Sequence, residues 1–172
     1  PRFTVWGGRS GQLPDPVFHP AFRMIPDLTV IKAGTGVLTR SGDGTLDTAA
    51  VVHLVAAIAG LIEAGHRCLF VSSGAVGSGV SAFGLREYPT DTATRQACAA
   101  VGQARLMQTY SSLFANFDIT VAQVLLTAAD LGTPERAGYV SDTLGRLLSE
   151  ARVLPIINEN DTVSIAEIKF GD

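Results

Sequence analysis

Short apolar runs rich in β-branched residues alternate along this chain with longer segments in which apolar positions recur every three or four residues. The runs predict buried parallel strands at 28–32, 67–71, 119–126 and 153–157. The periodic segments predict amphipathic helices. One begins near Asp47, a good N-cap, and carries Val51, Leu54, Val55, Ile58, Leu61 and Ile62 on one face before stopping at Gly65. A second covers roughly 92–117, with Ala97, Val101, Leu106, Tyr110 and Leu113 as inward candidates. A third starts at Pro134, a residue suited to a first helical turn, and runs to about Ala151. Residues 72–79 predict a small-residue loop that opens a short helix, Thr127 and Asp130 a further loop, and 163–170 an extended return. Strands separated by helices of this length imply right-handed crossovers. The expected fold class is α/β, a mostly parallel sheet flanked by helices on both faces.

The strands end in unusual company. Val153-Leu154-Pro155-Ile156-Ile157 breaks directly into Asn158-Glu159-Asn160-Asp161. Strand 28–32 ends in Lys32-Ala33-Gly34-Thr35-Gly36, and strand 67–71 in Ser72-Ser73-Gly74-Ala75. Open α/β sheets hold ligands beyond the carboxyl ends of their strands, so these three tips suggest one shared pocket.

Composition narrows the classes. The chain has 172 residues, 47% apolar and 17% charged, which suits one folded domain. A net charge of −3 speaks against a general nucleic-acid binder. No apolar run approaches a membrane span, and Gly7, Gly8, Gly11, Pro14 and Pro16 break any secretory pattern. Cys68 and Cys98 lack metal-ligand spacing and read as buried free thiols of a reducing cytoplasm. Residues 1–27, with little periodicity and the single Trp6, read as an N-terminal extension, and 28–172 as the domain.

Lys32 beside Gly34 and Gly36 puts a cation next to backbone N–H groups, which suits phosphate. A lysine capping a strand at the surface fits the same residues, and neither the Walker A nor the dinucleotide spacing is met. The glycines of 72–79 let backbone approach a ligand, with hydroxyls and amides for an anion. Ser73 lacks a nucleophile-elbow context, and His19, His53 and His66 are not placed as bases. The cluster 158–161 can hold an ammonium and a carboxylate together, or simply cap a turn. Glu167, Lys169 and Asp172 read as a solvated edge, and no protein-held metal is expected. Two anion-friendly loops and a zwitterion-friendly cluster, without a general base, fit phosphoryl transfer to a carboxylate. Such a nucleophile is already ionised at neutral pH.

Several segments together resemble the amino-acid kinase family. They are Val30-Ile31-Lys32-x-Gly34-Thr35, Ala64-Gly65-His66-Arg67, Ser72-Ser73-Gly74-Ala75 and Ala100-Val101-Gly102-Gln103-x-Arg105-Leu106. Gln123-x-Leu125-Leu126-Thr127, Pro155-x-Ile157-Asn158-Glu159-Asn160-Asp161 and Ala166-Glu167-Ile168-Lys169-x-Gly171-Asp172 complete the match. Ala33 and Gly36 stand where the family usually has Leu and Ser. The likeness is to the branch that phosphorylates glutamate, and it implies a three-layer sandwich of which this chain holds the glutamate-side lobe. It implies ATP and magnesium as cofactors, L-glutamate as substrate and L-glutamyl 5-phosphate as product, the first step towards proline. It also implies a cytoplasmic homo-oligomer with proline as feedback inhibitor. By the same resemblance Lys32, with Gly34 and Thr35, would contact the transferring phosphates; Ser73 and Gly74 would hold substrate; Asp161 would bind the ammonium, with Asn158 supporting that loop. In the family Gly171-Asp172 is followed by an Asn and an Asp of the site and then by a nucleotide lobe. The chain alone is therefore expected to have little kinase activity. A non-catalytic glutamate or proline sensor, or a kinase for another acid or a carbamate, are the alternatives.

Overall fold

The structure, a computed structural model, describes residues 5–6, 28–40 and 45–164. Its strands are β1 (Val5–Trp6), β2 (Leu28–Lys32), β3 (Arg67–Val71), β4 (Thr120–Leu126) and β5 (Val153–Glu159). Its helices are α1 (Thr35–Leu38), α2 (Thr48–Glu63), α3 (Ala75–Phe83), α4 (Thr92–Ala115), α5 (Ala128–Leu131) and α6 (Pro134–Leu148). The sheet order is β1–β2–β3–β5–β4. The last four strands in the chain run parallel, and β1 pairs antiparallel with β2.

Strand alternation divides the sheet into two faces. Ile31, Phe70 and Ile156 stand side by side in the register. They are buried under Leu54 and Ile58 of α2 and Leu106 and Tyr110 of α4. The ring of Tyr110 meets Phe70 edge to face, 5.3 Å between centroids. Helix α6 packs on β5 and β3, so the expected three-layer α/β arrangement is present. Asp47 caps α2 through hydrogen bonds from the Ala49 and Ala50 amides, 3.0 and 3.2 Å. Gly65, at φ +90°, ends it. Both cysteines are buried and free.

Several boundaries differ from the sequence reading, each for a local reason. The 72–79 segment is not a loop throughout: α3 begins at Ala75, so Gly77 and Gly79 lie inside a helix. A Cβ at Gly79 would stand 1.9 Å from the Cys98 carbonyl oxygen, and one at Gly102 would stand 1.8 Å from that of Ala75. These glycines let α3 and α4 meet backbone to backbone. That contact also fixes which face of α4 points inward. Cys98, Gly102, Gln103, Leu106, Tyr110 and Phe114 are buried, whereas Ala97 is exposed and Val101 is 38% exposed. The 127–130 loop is the short helix α5, whose start is a reciprocal capping box between Thr127 and Asp130. Helix α6 ends at Leu148, and β5 extends through Asn158 and Glu159. Val163 lies in a turn, and the rest of the expected 163–170 return, from residue 165, falls outside the described residues, as do Glu167, Lys169 and Asp172.

Candidate functional site

Parallel pairing brings the carboxyl ends of β2, β3 and β5 to one edge of the sheet. Lys32 is registered with Val71, and Val71 with Ile157. The ladder continues past the tips: the Ala33 amide donates to the Val71 carbonyl (2.9 Å) and the Ser72 amide to that of Ile157 (2.8 Å). With two strand spacings between them, Lys32 and Ile157 lie about 10 Å apart across the sheet. Lys32 is exposed while its neighbour Ile31 is buried. Alternation therefore puts the ammonium on the face opposite the α2–α4 core.

Gly34 caps α1 without a side chain, and the space where its Cβ would stand is empty. Thr35 is exposed, and its carbonyl accepts from both the amide and the hydroxyl of Thr39, each at 2.8 Å. Gly74 precedes α3 at φ +94°, a left-handed conformation that glycine adopts without strain. A Cβ there would come within 3.8 Å of Leu38 and 3.9 Å of Thr39, so the loops after β2 and β3 touch. Ser73 is half-buried beside it. Below Ser73, the Ser72 hydroxyl donates to the Ser73 carbonyl (3.2 Å) and bonds the Tyr110 hydroxyl (2.9 Å).

At the β5 tip a chain of amides runs from buried Asn158 through buried Gln103 of α4 to exposed Gln123 of β4. Asn158 Nδ2 donates to Gln103 Oε1 (2.8 Å), and Gln103 Nε2 donates to Gln123 Oε1 (3.0 Å). The Glu159 amide closes the chain on Asn158 Oδ1 (2.9 Å). Asn158 thus points into the protein and fixes the strand end, while the residues after it turn. The Asn160 amide still bonds Leu126 of β4 (2.9 Å), and the Asn160 carbonyl accepts from the amides of Val163 and Ser164 at 3.1 and 3.0 Å. The Ser164 hydroxyl donates to the Glu159 carboxylate. Asp161, at the head of this turn, is half-buried. Burial pushes its carboxyl above the ordinary range, the neighbouring Glu159 charge adds to that, and Arg95 opposes both.

Sequence reasoning assigned no role to Arg95, Tyr88 or Gln103. Arg95 is placed over the Tyr88 ring, its guanidinium carbon 5.8 Å from the centroid. Its Nε is buried without a hydrogen-bond partner among the described residues. Gln103 was detectable as a polar residue at helical spacing from Leu106 and Tyr110 on the inward face of α4. Asp130, by contrast, is occupied structurally. Hydrogen bonds from the hydroxyl and amide of Thr127, with Arg136 nearby, hold its carboxyl below the ordinary range. His53 and His66 are exposed. No group of three or more His, Cys, Asp or Glu among the described residues is placed to hold a metal ion. A separate hollow of about 550 Å³ between α2, α3 and α4, lined by Thr48, Ser78 and Arg105 among others, contains none of the strand-tip residues.

Comparison with known proteins bears on this edge. The sequence profile of the amino acid kinase family matches residues 27–172. The glutamate 5-kinase of Synechocystis sp. is 47% identical over 150 residues, covering 87% of this chain and 40% of that protein. That of Acinetobacter baumannii is 48% identical over 143 residues, covering 83% and 37%. That of Symbiobacterium thermophilum is 46% identical over 143 residues, covering 83% and 54%. The chain thus spans about two fifths of the length of the first two relatives.

Proposed function

Because the chain belongs to the amino acid kinase family, we propose that its strand-tip edge is the acceptor side of a kinase that phosphorylates the side-chain carboxylate of L-glutamate, giving L-glutamyl 5-phosphate. Residues 28–172 form the amino-terminal part of the kinase domain on this reading. One observation carries it: β2, β3 and β5 end side by side at one edge, with Lys32, Ser73–Gly74 and Asp161 on their tips. Proteins named glutamate 5-kinase, 47–48% identical over 83–87% of this chain, support the reading.

The mechanism asks little of proton transfer. The acceptor carboxylate is ionised at neutral pH, so no side chain need deprotonate it. What the site must supply is alignment and charge cancellation. Lys32 offers a solvent-facing ammonium two strands from the β5 tip. Gly34 leaves backbone open where a side chain would stand, and Thr35 adds an exposed hydroxyl; these three would meet the phosphates of ATP. Ser73 and the Gly74 backbone would hold the acceptor. Asp161 would take the substrate ammonium, a cation that relieves the unfavourable pairing with Glu159, and Asn158 would hold the turn in place from below. Magnesium fits as an ion carried by the nucleotide phosphates, which neutralises charge on them when bound, since no described cluster forms an all-protein cage. A cytoplasmic place at the head of proline formation, feedback by proline and a homo-oligomeric state accompany this reading. Among the described residues no helix is long and apolar enough to cross a membrane.

The test is hydroxamate formation from glutamate, ATP, magnesium and hydroxylamine. The full-length protein is expected to turn over, and Lys32→Ala to lose about 100-fold or more in kcat, as for removal of a transition-state charge partner. The 172-residue chain by itself is expected to yield almost none. Full activity of Lys32→Ala would overturn the assignment. Tight glutamate binding by a full-length protein without any turnover would favour the sensor reading.

A further inference from the structure

On the glutamate-kinase reading, Asp161 takes the ammonium of the amino acid and Ser73–Gly74 its side-chain carboxylate, which leaves the α-carboxylate without a partner. Helix α4 is level with the β5 tip at Gln103, which bonds Asn158. Arg95 lies eight residues nearer the helix N-terminus, about 12 Å along the axis. Helix α4 leads into β4 and its amino-terminal part projects past the carboxyl edge of the sheet, as does the turn that begins after Asn160. Arg95 and Asp161 thus overhang the same edge from α4 and β5, and the Arg95 charge opposes the rise of the Asp161 carboxyl.

The guanidinium is incompletely used by the protein. The described ion pairs are Arg136–Asp130 and Arg146–Glu150, and neither involves Arg95. Its buried Nε has no acceptor among the described residues, although the guanidinium meets both the ring and the hydroxyl of Tyr88. A buried unpaired donor costs stability and calls for an explanation. Arginine's planar fork matches a carboxylate with two parallel hydrogen bonds.

We propose that Arg95 is the specificity-determining residue for the substrate α-carboxylate, so that Arg95 and Asp161 together clamp the zwitterionic head group of an α-amino acid. This rests on the glutamate-kinase reading and names which acids that site accepts. Acids lacking the α-carboxylate, or lacking the amino group, lose one arm of the clamp. Tyr88 buttresses the guanidinium from its ring face.

The experiment is equilibrium binding by calorimetry on the full-length protein, with glutamate and with 4-aminobutanoate, which is glutamate without its α-carboxylate. The wild type is expected to prefer glutamate by roughly 30- to 100-fold, the worth of a bidentate charged pair. Arg95→Gln is expected to weaken glutamate binding by a similar factor and leave 4-aminobutanoate unchanged, so the preference collapses. Arg95→Lys, which keeps the charge and the packing but not the fork, is expected to fall between, and guards against a misfolded glutamine variant. Preference retained in both variants overturns the inference while leaving the glutamate reading intact. Failure of the wild type to bind glutamate overturns the reading and the inference with it.

Discussion

Asp161 shows how a residue proposed for a site can cost the fold something. Its carboxyl is raised above the ordinary 3.8, first by burial and then by Glu159. The unfolded chain ionises that group at lower pH than the native one, so stability falls as pH rises between the two values and stays lower at neutrality. Asp161→Asn is therefore expected to raise the melting temperature of the free protein at pH 7, with the gain vanishing below about pH 3.8, while weakening glutamate binding. A neutral or lowered melting temperature at pH 7 would remove this account. Tyr110 and Cys68 carry the opposite end of the pH scale. Burial pushes Tyr110 to about 12 and Cys68 to about 11. Both stay protonated when folded at pH values where the unfolded chain has lost the proton. Each group is expected to cost about 1.4 kcal/mol of stability per pH unit across its window, from 9.0 to about 11 for Cys68 and from 10.0 to about 12 for Tyr110. Urea unfolding at stepped alkaline pH measures it, and a flat profile to pH 11 would contradict it. The glycines separate by the same residue-level logic. Gly79→Ala and Gly102→Ala drive a methyl into backbone carbonyls and are expected to cost about 3 kcal/mol or more. Gly138→Ala and Gly145→Ala meet nothing within 4 Å inside α6 and are expected to stabilise by about 0.5–1 kcal/mol.

Between elements, the amide chain Gln123–Gln103–Asn158 ties β4, α4 and β5 together at the level where the sheet opens into the site. Gln103→Leu fills the space but leaves Asn158 Nδ2 and Gln123 Oε1 without their partner. The expected cost is about 1–3 kcal/mol, together with faster hydrogen exchange at the Glu159 amide, which hangs on Asn158 Oδ1. Unchanged exchange there would show that the turn is held by something else. Sequence pattern revealed the elements far better than their junctions. The strands β2, β3 and β5 and the helix α2 were legible because burial follows period and because Asp47 and Gly65 punctuate the helix at both ends. On α4 the inward candidates Leu106, Tyr110 and Leu113 do face the core, whereas Ala97 and Val101 were misread because the start of the helix is set by Gly79 and Gly102, and two glycines touching backbone leave no hydrophobic signal. Seen in sequence, glycines after a strand suggest a phosphate loop as readily as a helix crossing. Arg95 escaped for a similar reason: its meaning comes from a turn more than sixty positions later, which periodicity cannot connect. Asp130 was hidden as a cap because a capping box of one short turn has no period at all.

Over the whole molecule, the described surfaces are unevenly closed. β4 pairs with β5 on one side and ends the sheet order on the other, so its outer backbone groups face no strand among the described residues. Such an edge is a template for pairing with another chain. On the α3–α4 side, Phe83 is 52% exposed, Tyr88 49%, Leu85 39% and Val101 38%. Apolar groups gathered in this way mark association surfaces when they are contiguous. The 172-residue chain is therefore expected to self-associate, its light-scattering mass rising above 18.0 kDa with concentration. The two causes separate by substitution. Val101→Glu or Phe83→Glu puts a charge on the α3–α4 surface at positions already open to solvent, where the fold should tolerate it, and leaves β4 untouched. Loss of association in those variants assigns it to the helical face, and persistence assigns it to the open strand. A wild-type mass that holds at the monomer value over a hundredfold range of concentration would mean that neither surface is sticky.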